Sequence, residues 1–183
     1  MEIYLVRHTP PKVEAGICYG QTDLPVDDNF IYDFEKIKKE IPEKIDMIFS
    51  SPLKRCMVLA ENIARSIVFP VIGIDERLKE LNFGKWEMKK WETIPQSEFR
   101  EWESDLLNYT IPEGESLAGL QNRVNDFINE LLNRKIKKAL IITHAGVIRC
   151  FLSRFNDIPI KETLNIPVEF SSVKILKIEK KIL

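Results

Sequence analysis

Ile3-Tyr4-Leu5-Val6-Arg7-His8-Thr9-Pro10 is a short apolar, strand-forming run that ends in a cationic pair and is stopped by Pro10 and Pro11. The chain holds two histidines, and the second repeats the setting. Leu140-Ile141-Ile142-Thr143-His144-Ala145-Gly146 is again a buried-type strand that ends on a histidine. Continuous apolar runs of this length, bounded by breakers, suit strands covered on both faces. Two rare titratable residues at two matching strand ends point to one site assembled from both ends of the chain.

Composition limits what that site can serve. At 183 residues the chain is expected to form one domain, residues 1–183, with a sizeable core. Hydrophobic residues at 44% and charged residues at 30% describe an ordinary globular protein. A formal net charge of −1 leaves no global basic field for nucleic acid or an acidic membrane, so any bound anion must be held by local charge. Cys18, Cys56 and Cys150 are odd in number and far apart, which favours reduced thiols and a cytoplasmic setting. No apolar run approaches the roughly 20 residues of a membrane span, and no leader is expected.

Outward from the first strand, Pro10 to Pro25 reads as a long loop. Phe30, Phe34, Ile37 and Ile41 have helical spacing, and Pro42 stands at their end. Asp46 to Ser51 reads as a second strand. A helix is expected to start there with Ser51 as N-cap and Pro52 in first position, striped by Leu53, Cys56, Met57, Ala60, Ile63, Ala64 and Ile67. Pro70 to Ile74 is a third strand. Glu76 to Glu87 lacks periodicity, with Gly84 as a turn, and Phe99, Trp102 and Leu106 mark a helix. Ser116 is a plausible N-cap for the stripe Leu117, Leu120, Val124, Phe127, Ile128, Leu131 and Leu132. Lys138 to Thr143 is a fourth strand, Ile148 to Phe155 stripe the helix behind it, and Ser172 to Glu179 has the pattern of an edge strand. Alternating strands and helices predict an α/β fold, a three-layer α/β/α sandwich with a mostly parallel central sheet. Ligands of such sheets lie outside the carboxyl ends of the strands, where His8, the turn before Arg55 and His144 all fall.

The chemistry of that rim is anionic recognition. Arg7 and Arg55 offer fork-like donors that match phosphate oxygens and keep their charge. Arg55 also lies in the first turn of its helix, off the apolar stripe, where free N–H groups favour an anion. A neutral His8 can attack phosphorus if its other nitrogen is held, and a backbone carbonyl of the Thr9–Pro11 turn is in reach to hold it. Alone, each of these residues is more often structural; jointly they make a phosphate site. Metal chemistry fits less well: carboxylates such as Asp23 or Glu80 would have to complete the ligands, no short His/Cys spacing is present, and two arginines repel a divalent cation. No cofactor is expected, and seven glycines leave no Gly-rich phosphate cradle.

These motifs resemble the histidine phosphatase superfamily, also called phosphoglycerate mutase-like. The blocks are Leu5-Val6-Arg7-His8-Thr9, Ser50 to Arg55, Glu76 to Glu87, Glu113 to Ser116 and Thr143 to Arg149. They stand in the family's order over nearly the whole chain. The resemblance implies that His8 becomes phosphohistidine, that Arg7, Arg55 and His144 form the phosphate pocket, and that Glu80 is the acid and then the base. Glu80 carries no signal of its own; without the family it reads as a surface glutamate.

Cys18-Tyr19-Gly20-Gln21-Thr22-Asp23 further resembles the α-ribazole phosphatase branch. That implies hydrolysis of α-ribazole 5′-phosphate in cobalamin nucleotide-loop assembly, a small, nucleotide monophosphate-like substrate. It also implies that Gly20, Gln21 and Thr22 contact phosphate or substrate. Thr9, where mutases carry Gly, and Met88, where many members carry Gly, place phosphoglycerate mutase further off. A broad small-metabolite phosphatase, a mutase, or a non-catalytic phospho-ligand module are the alternatives. Trp86, Trp91 and Trp102 are candidates for a base-stacking platform, and Arg123 and Arg149 read as structural.

Overall fold

The structure, a computed structural model, describes residues 1–67 and 71–178. Its sheet holds β1 (Glu2–Arg7), β2 (Met47–Ser50), β3 (Ile72–Ile74), β4 (Lys138–Thr143) and β5 (Val173–Lys177) in the order β3-β2-β4-β1-β5. The first four strands in that order are parallel, and β5 closes one edge antiparallel to β1. Late in sequence, β4 inserts between β1 and β2. That insertion builds the site, because it pairs Arg7 with Thr143 and sets the two strand ends side by side.

Strand side chains alternate between faces, and the core divides accordingly. Ile3, Leu5, Ala139 and Ile141 face α4 (Leu117–Asn133) and α5 (Ala145–Asn156), which bury Leu120, Val124, Ile128, Ile148 and Phe151. Tyr4, Val6, Leu140 and Ile142 face α1 (Phe30–Glu40) and α2 (Lys54–Ser66), which bury Phe34, Ile37, Leu59 and Ile63. Helices thus cover both faces of a mostly parallel sheet, the expected α/β/α sandwich. Two further helices, α3 (Gln96–Ser104) and α6 (Ile160–Thr163), add Phe99, Trp102 and Ile160 to the first face. The Ser116 side chain accepts from the Gly119 N–H at 3.1 Å, capping α4 as its spacing predicts.

Several boundaries differ from the sequence reading. The helix expected at Pro52 begins at Lys54, and its first N–H donates to the Asp23 carboxylate at 2.7 Å. A remote loop thus caps the first helical N–H, while the Ser51 hydroxyl accepts from the Leu53 N–H at 3.4 Å and bonds His144. Leu59 is fully buried on α2 while Met57 is only half-buried, so the buried stripe is rotated slightly from the one read. β3 is confined to Ile72–Ile74, and Pro70 lies outside the described residues. Leu106 lies beyond α3, whose last residue is Ser104. β5 spans Val173–Lys177 with Ile175 exposed, as an edge strand allows; Glu179 lies outside the described residues.

Candidate active site

Pairing of β1 with β4 lets the His8 N–H donate to the Thr143 carbonyl at 3.0 Å and brings the His8 and His144 rings edge-on at 5.0 Å between centroids. His8 Nδ1 stands 2.7 Å from the Thr9 carbonyl. A carbonyl only accepts, so Nδ1 carries the hydrogen and Nε2 the lone pair. Arg55 Nε donates to that Nε2 at 3.3 Å. Arg55 Nη2 approaches His144 Nδ1 at 3.4 Å, and a guanidinium only donates, which leaves His144 Nε2–H to donate to Ser51 Oγ at 2.8 Å. Both imidazoles are therefore held neutral in defined tautomers.

Their charge state follows from the surroundings. Burial first, then the Arg55 charge, pushes His8 well below the ordinary histidine value of 6.5; the Thr9 hydrogen bond opposes this, and Arg7 adds to it. Burial likewise lowers His144, followed by His8, Arg55, Arg7 and Arg123. Cys56 Sγ lies 3.5 Å from His144 Nε2, but burial pushes the thiol up to about 12, so it stays protonated and is no nucleophile.

The two arginines differ in what they have left to give. Arg55 is fully buried and spends its fork on the loop, Nη1 on the Thr22 carbonyl at 2.8 Å and Nη2 on the Gly20 carbonyl at 2.5 Å. Arg7 donates through Nη1 to the Val168 carbonyl at 2.6 Å, while its buried Nε meets no acceptor among the described residues. The Phe170 ring lies 3.6 Å from the Arg7 guanidinium carbon and 5.4 Å from the His8 ring, fixing the plane of the cation. Tyr19, half-buried, sets its ring 5.2 Å from the Arg55 guanidinium carbon. Arg7 is thus the cation with capacity to spare for an anion.

The loop carrying Gly20, Gln21 and Thr22 reaches this site, but its donors turn away from it. Glu87 accepts from the N–H of Gln21 at 2.8 Å, of Thr22 at 2.7 Å and of Phe83 at 3.1 Å, and from the Thr22 hydroxyl. The Gln21 amide donates to the Glu80 carbonyl at 2.9 Å. In this arrangement the loop touches the site through Gly20 and Thr22 carbonyls on Arg55. Gly20 has φ of +35°, and a Cβ there would stand 2.6 Å from the Leu81 carbonyl oxygen, so glycine is required.

Glu80 is set by the backbone around it. Its carboxylate accepts from the Leu81 N–H at 2.9 Å and from the Gly146 N–H, 3.2 Å from each oxygen, in the first turn of α5. Gly146 lies two residues beyond His144, and a Cβ on it would collide with that carboxylate. Arg123 holds the segment from behind: Nη1 donates to the carbonyls of Arg77 and Lys79 at 2.7 Å, and Nη2 to that of Glu80 at 2.9 Å. Its remaining bonds go to Glu115, which also accepts from the Asn82 N–H. Among the described residues, no three His, Cys, Asp or Glu side chains are grouped as metal ligands.

The family model of the histidine phosphatase superfamily, branch 1, matches residues 3–182. The chain belongs to that superfamily. Among its relatives are a probable phosphoglycerate mutase GpmB from Escherichia coli O1:K1, 31% identical over 87% of this chain and 76% of that one, and its Proteus mirabilis counterpart at 30%. A phosphoserine phosphatase 2 candidate from Hydrogenobacter thermophilus is 25% identical over 97% of this chain and 89% of that protein. The alpha-ribazole phosphatase of Shigella flexneri shares the fold, with a TM-score of 0.87 at 23% identity over 98% of this chain and 92% of that one. YhfR of Bacillus stearothermophilus superposes at 0.85, with 25% identity and the same coverage. The relatives whose names state an activity are phosphatases and phosphoglycerate mutases, named for different phosphorylated substrates.

Tyr19, Phe170, Ser51, Glu87 and Arg123 touch the candidate site residues or the loop and segment beside them, and spacing did not single them out as functional. Ser51 and Glu87 stood inside the motif blocks, Ser51 read only as a helix N-cap and Glu87 with no role. Tyr19 stood beside the loop residues that were chosen. Phe170 lies before an edge strand and gives no local signal.

Proposed function

We propose that the protein is a metal-independent phosphomonoesterase working through phosphohistidine on His8, with α-ribazole 5′-phosphate as its substrate and the cytoplasm as its setting. The observation that carries the mechanism is the Nδ1–H bond from His8 to Thr9, which leaves Nε2 uncharged with its lone pair toward Arg55 Nε and the His144 ring beside it. Nε2 attacks phosphorus as the ester P–O bond breaks, and Glu80 gives its proton to the leaving oxygen, releasing the alcohol. Water then attacks the phosphohistidine from the vacated side. Glu80 takes its proton, the P–N bond breaks, and inorganic phosphate leaves with His8 neutral again. The guanidinium charges oppose the negative charge that gathers on the phosphoryl oxygens. Three buried, unpaired thiols fit a reducing compartment.

The substrate assignment rests on the Cys18–Asp23 stretch and on the shared fold with the Shigella flexneri alpha-ribazole phosphatase. The GpmB relatives favour a second reading, a phosphoglycerate mutase-type enzyme. Hydrolysis of p-nitrophenyl phosphate in EDTA, with a 32P-labelled phosphoenzyme that is acid-labile and base-stable, is the expected result. Turnover retained in His8→Ala would overturn the mechanism, and no labelled enzyme at all would favour a phospho-ligand binding module. A higher kcat/KM for 3-phosphoglycerate than for α-ribazole 5′-phosphate would transfer the assignment to the second reading.

A further inference from the structure

Arg123 stands on α4, 43 residues from Glu80 in sequence, and every donor of its guanidinium is occupied. Nε donates to Glu115 Oε2 at 3.1 Å and Nη1 to the Arg77 and Lys79 carbonyls at 2.7 Å. Nη2 donates to the Glu80 carbonyl at 2.9 Å and to Glu115 Oε1 at 2.5 Å. A guanidinium has five N–H donors, so none remains for a phosphate or an alcohol. Arg123 is no substrate-binding cation.

What these bonds hold is one short stretch of main chain. The carbonyls of Arg77, Lys79 and Glu80 all point to Arg123. Glu115 completes the grip: its carboxylate accepts from the Asn82 N–H at 2.9 Å, and its own N–H donates to the Asn82 carbonyl at 3.0 Å. The backbone is therefore fixed on both sides of Glu80. The Glu80 carboxylate leaves that stretch to sit on the N–H groups of Leu81 and Gly146, the latter in the first turn of the helix that His144 precedes. We infer, on the reading of Glu80 given above, that Arg123 and Glu115 are a positioning pair. They touch neither phosphate nor alcohol, and they set where the Glu80 carboxyl stands relative to the leaving oxygen.

The geometry sets this pair apart from a surface ion pair. The Arg123 and Glu115 side chains are 21% and 20% exposed, and they meet through two parallel N–H···O bonds that fix the plane of the guanidinium. The Glu80 carbonyl also accepts from the Gln21 amide at 2.9 Å, so one oxygen joins the acid to the loop whose Gly20 and Thr22 carbonyls hold Arg55. Acid catalysis is steep in position: a misplacement of about 1 Å costs on the order of 100-fold in rate. Releasing Arg123 frees three carbonyls at once and lets the segment under Glu80 move by that amount.

The test is dependence on the leaving group. p-Nitrophenolate departs without a proton and ethoxide does not, so a displaced acid harms the alkyl ester selectively. Arg123→Gln should lower kcat/KM for ethyl phosphate about 10- to 100-fold more than for p-nitrophenyl phosphate. Water attack also needs Glu80, as base, so quenched reactions with 32P-labelled p-nitrophenyl phosphate should hold a larger share of phosphoenzyme than the wild type. Glu115→Gln, which keeps the shape of the side chain, should move both readouts the same way by less, and it decides alone if Arg123→Gln does not fold. Lost fold lowers both esters alike, so the ratio reads position and not the amount of folded enzyme. An unchanged ratio and an unchanged phosphoenzyme share would overturn the inference. Glu80→Gln is the reference. Leaving-group selectivity there without any in Arg123→Gln removes only the positioning pair, whereas none in Glu80→Gln overturns the reading of Glu80 as well.

Discussion

A histidine serves as a nucleophile only while one nitrogen is free of a proton, and at His8 the surroundings secure this twice. The Thr9 carbonyl selects which nitrogen is free, and burial with the Arg55 charge keeps it free below the usual titration range. The sign is clear: a lowered pKa leaves the reactive form populated as pH falls through 6.5. With p-nitrophenyl phosphate, and after correction for the substrate's own ionisation near about pH 6, kcat/KM should show no acid limb centred near 6.5. Steady-state rates from about pH 8 to about pH 5.5 read this directly, spanning the range in which an unperturbed histidine titrates. An acid limb centred near 6.5 would mean that His8 titrates as if in water. Arg7 gains its importance from the same packing, since the Phe170 face and the Val168 carbonyl leave a charged fork in one plane.

One turn holds the loop at the site's edge. The chain from Gly84 to Trp86 makes a 3-10 turn, and Glu87, just beyond it, collects the N–H groups of Gln21, Thr22 and Phe83. Met88 follows at φ of +62°, in the left-handed region where a glycine would sit without strain. Glu87→Ala leaves these half-buried donors without a partner and should lower stability by about 2 kcal/mol or more, as hydrogen bonds to charged groups are worth about 1.5–3 kcal/mol. It should also lower kcat/KM, because the Gly20 and Thr22 carbonyls then cease to fix Arg55. Urea unfolding and steady-state kinetics on the purified variant check both effects, and full activity would show that Arg55 needs no such support. The elements themselves were largely legible in sequence. Lys138 to Thr143 and the Ser116 cap read directly, because period and capping chemistry are local. The α2 cap was not, because Asp23 reaches it from 31 residues away, and neither was the bracing of Glu80 by Arg123, 43 residues on. Long-range contacts leave no mark on spacing.

Across the molecule, placing two neutral imidazoles among fixed cations couples folding to pH. His8 and His144 are buried at adjacent strand ends, and both are held well below 6.5 chiefly by burial. In the unfolded chain each titrates near 6.5. Between that pH and the folded values the unfolded state binds the additional protons, so stability falls as pH falls. The contribution is fully present above the unfolded pKa and is lost progressively below it. Each histidine adds about 1.4 kcal/mol per pH unit inside the window, so the pair gives a slope of up to about 2.7 kcal/mol per unit. Carboxylates contribute in a separate, more acidic range: Asp46 is lowered by the N–H groups of Lys138 and Lys137, and Glu130 by Arg77 and Arg134. Unfolding free energies from urea titrations at about pH 7.5, 6.5 and 5.5, values chosen to bracket the ordinary histidine range, should therefore decline toward the acid end. The decline should be largely absent in the His8→Gln, His144→Gln double variant. A decline of the same size in that variant would place the acid sensitivity outside the histidine pair.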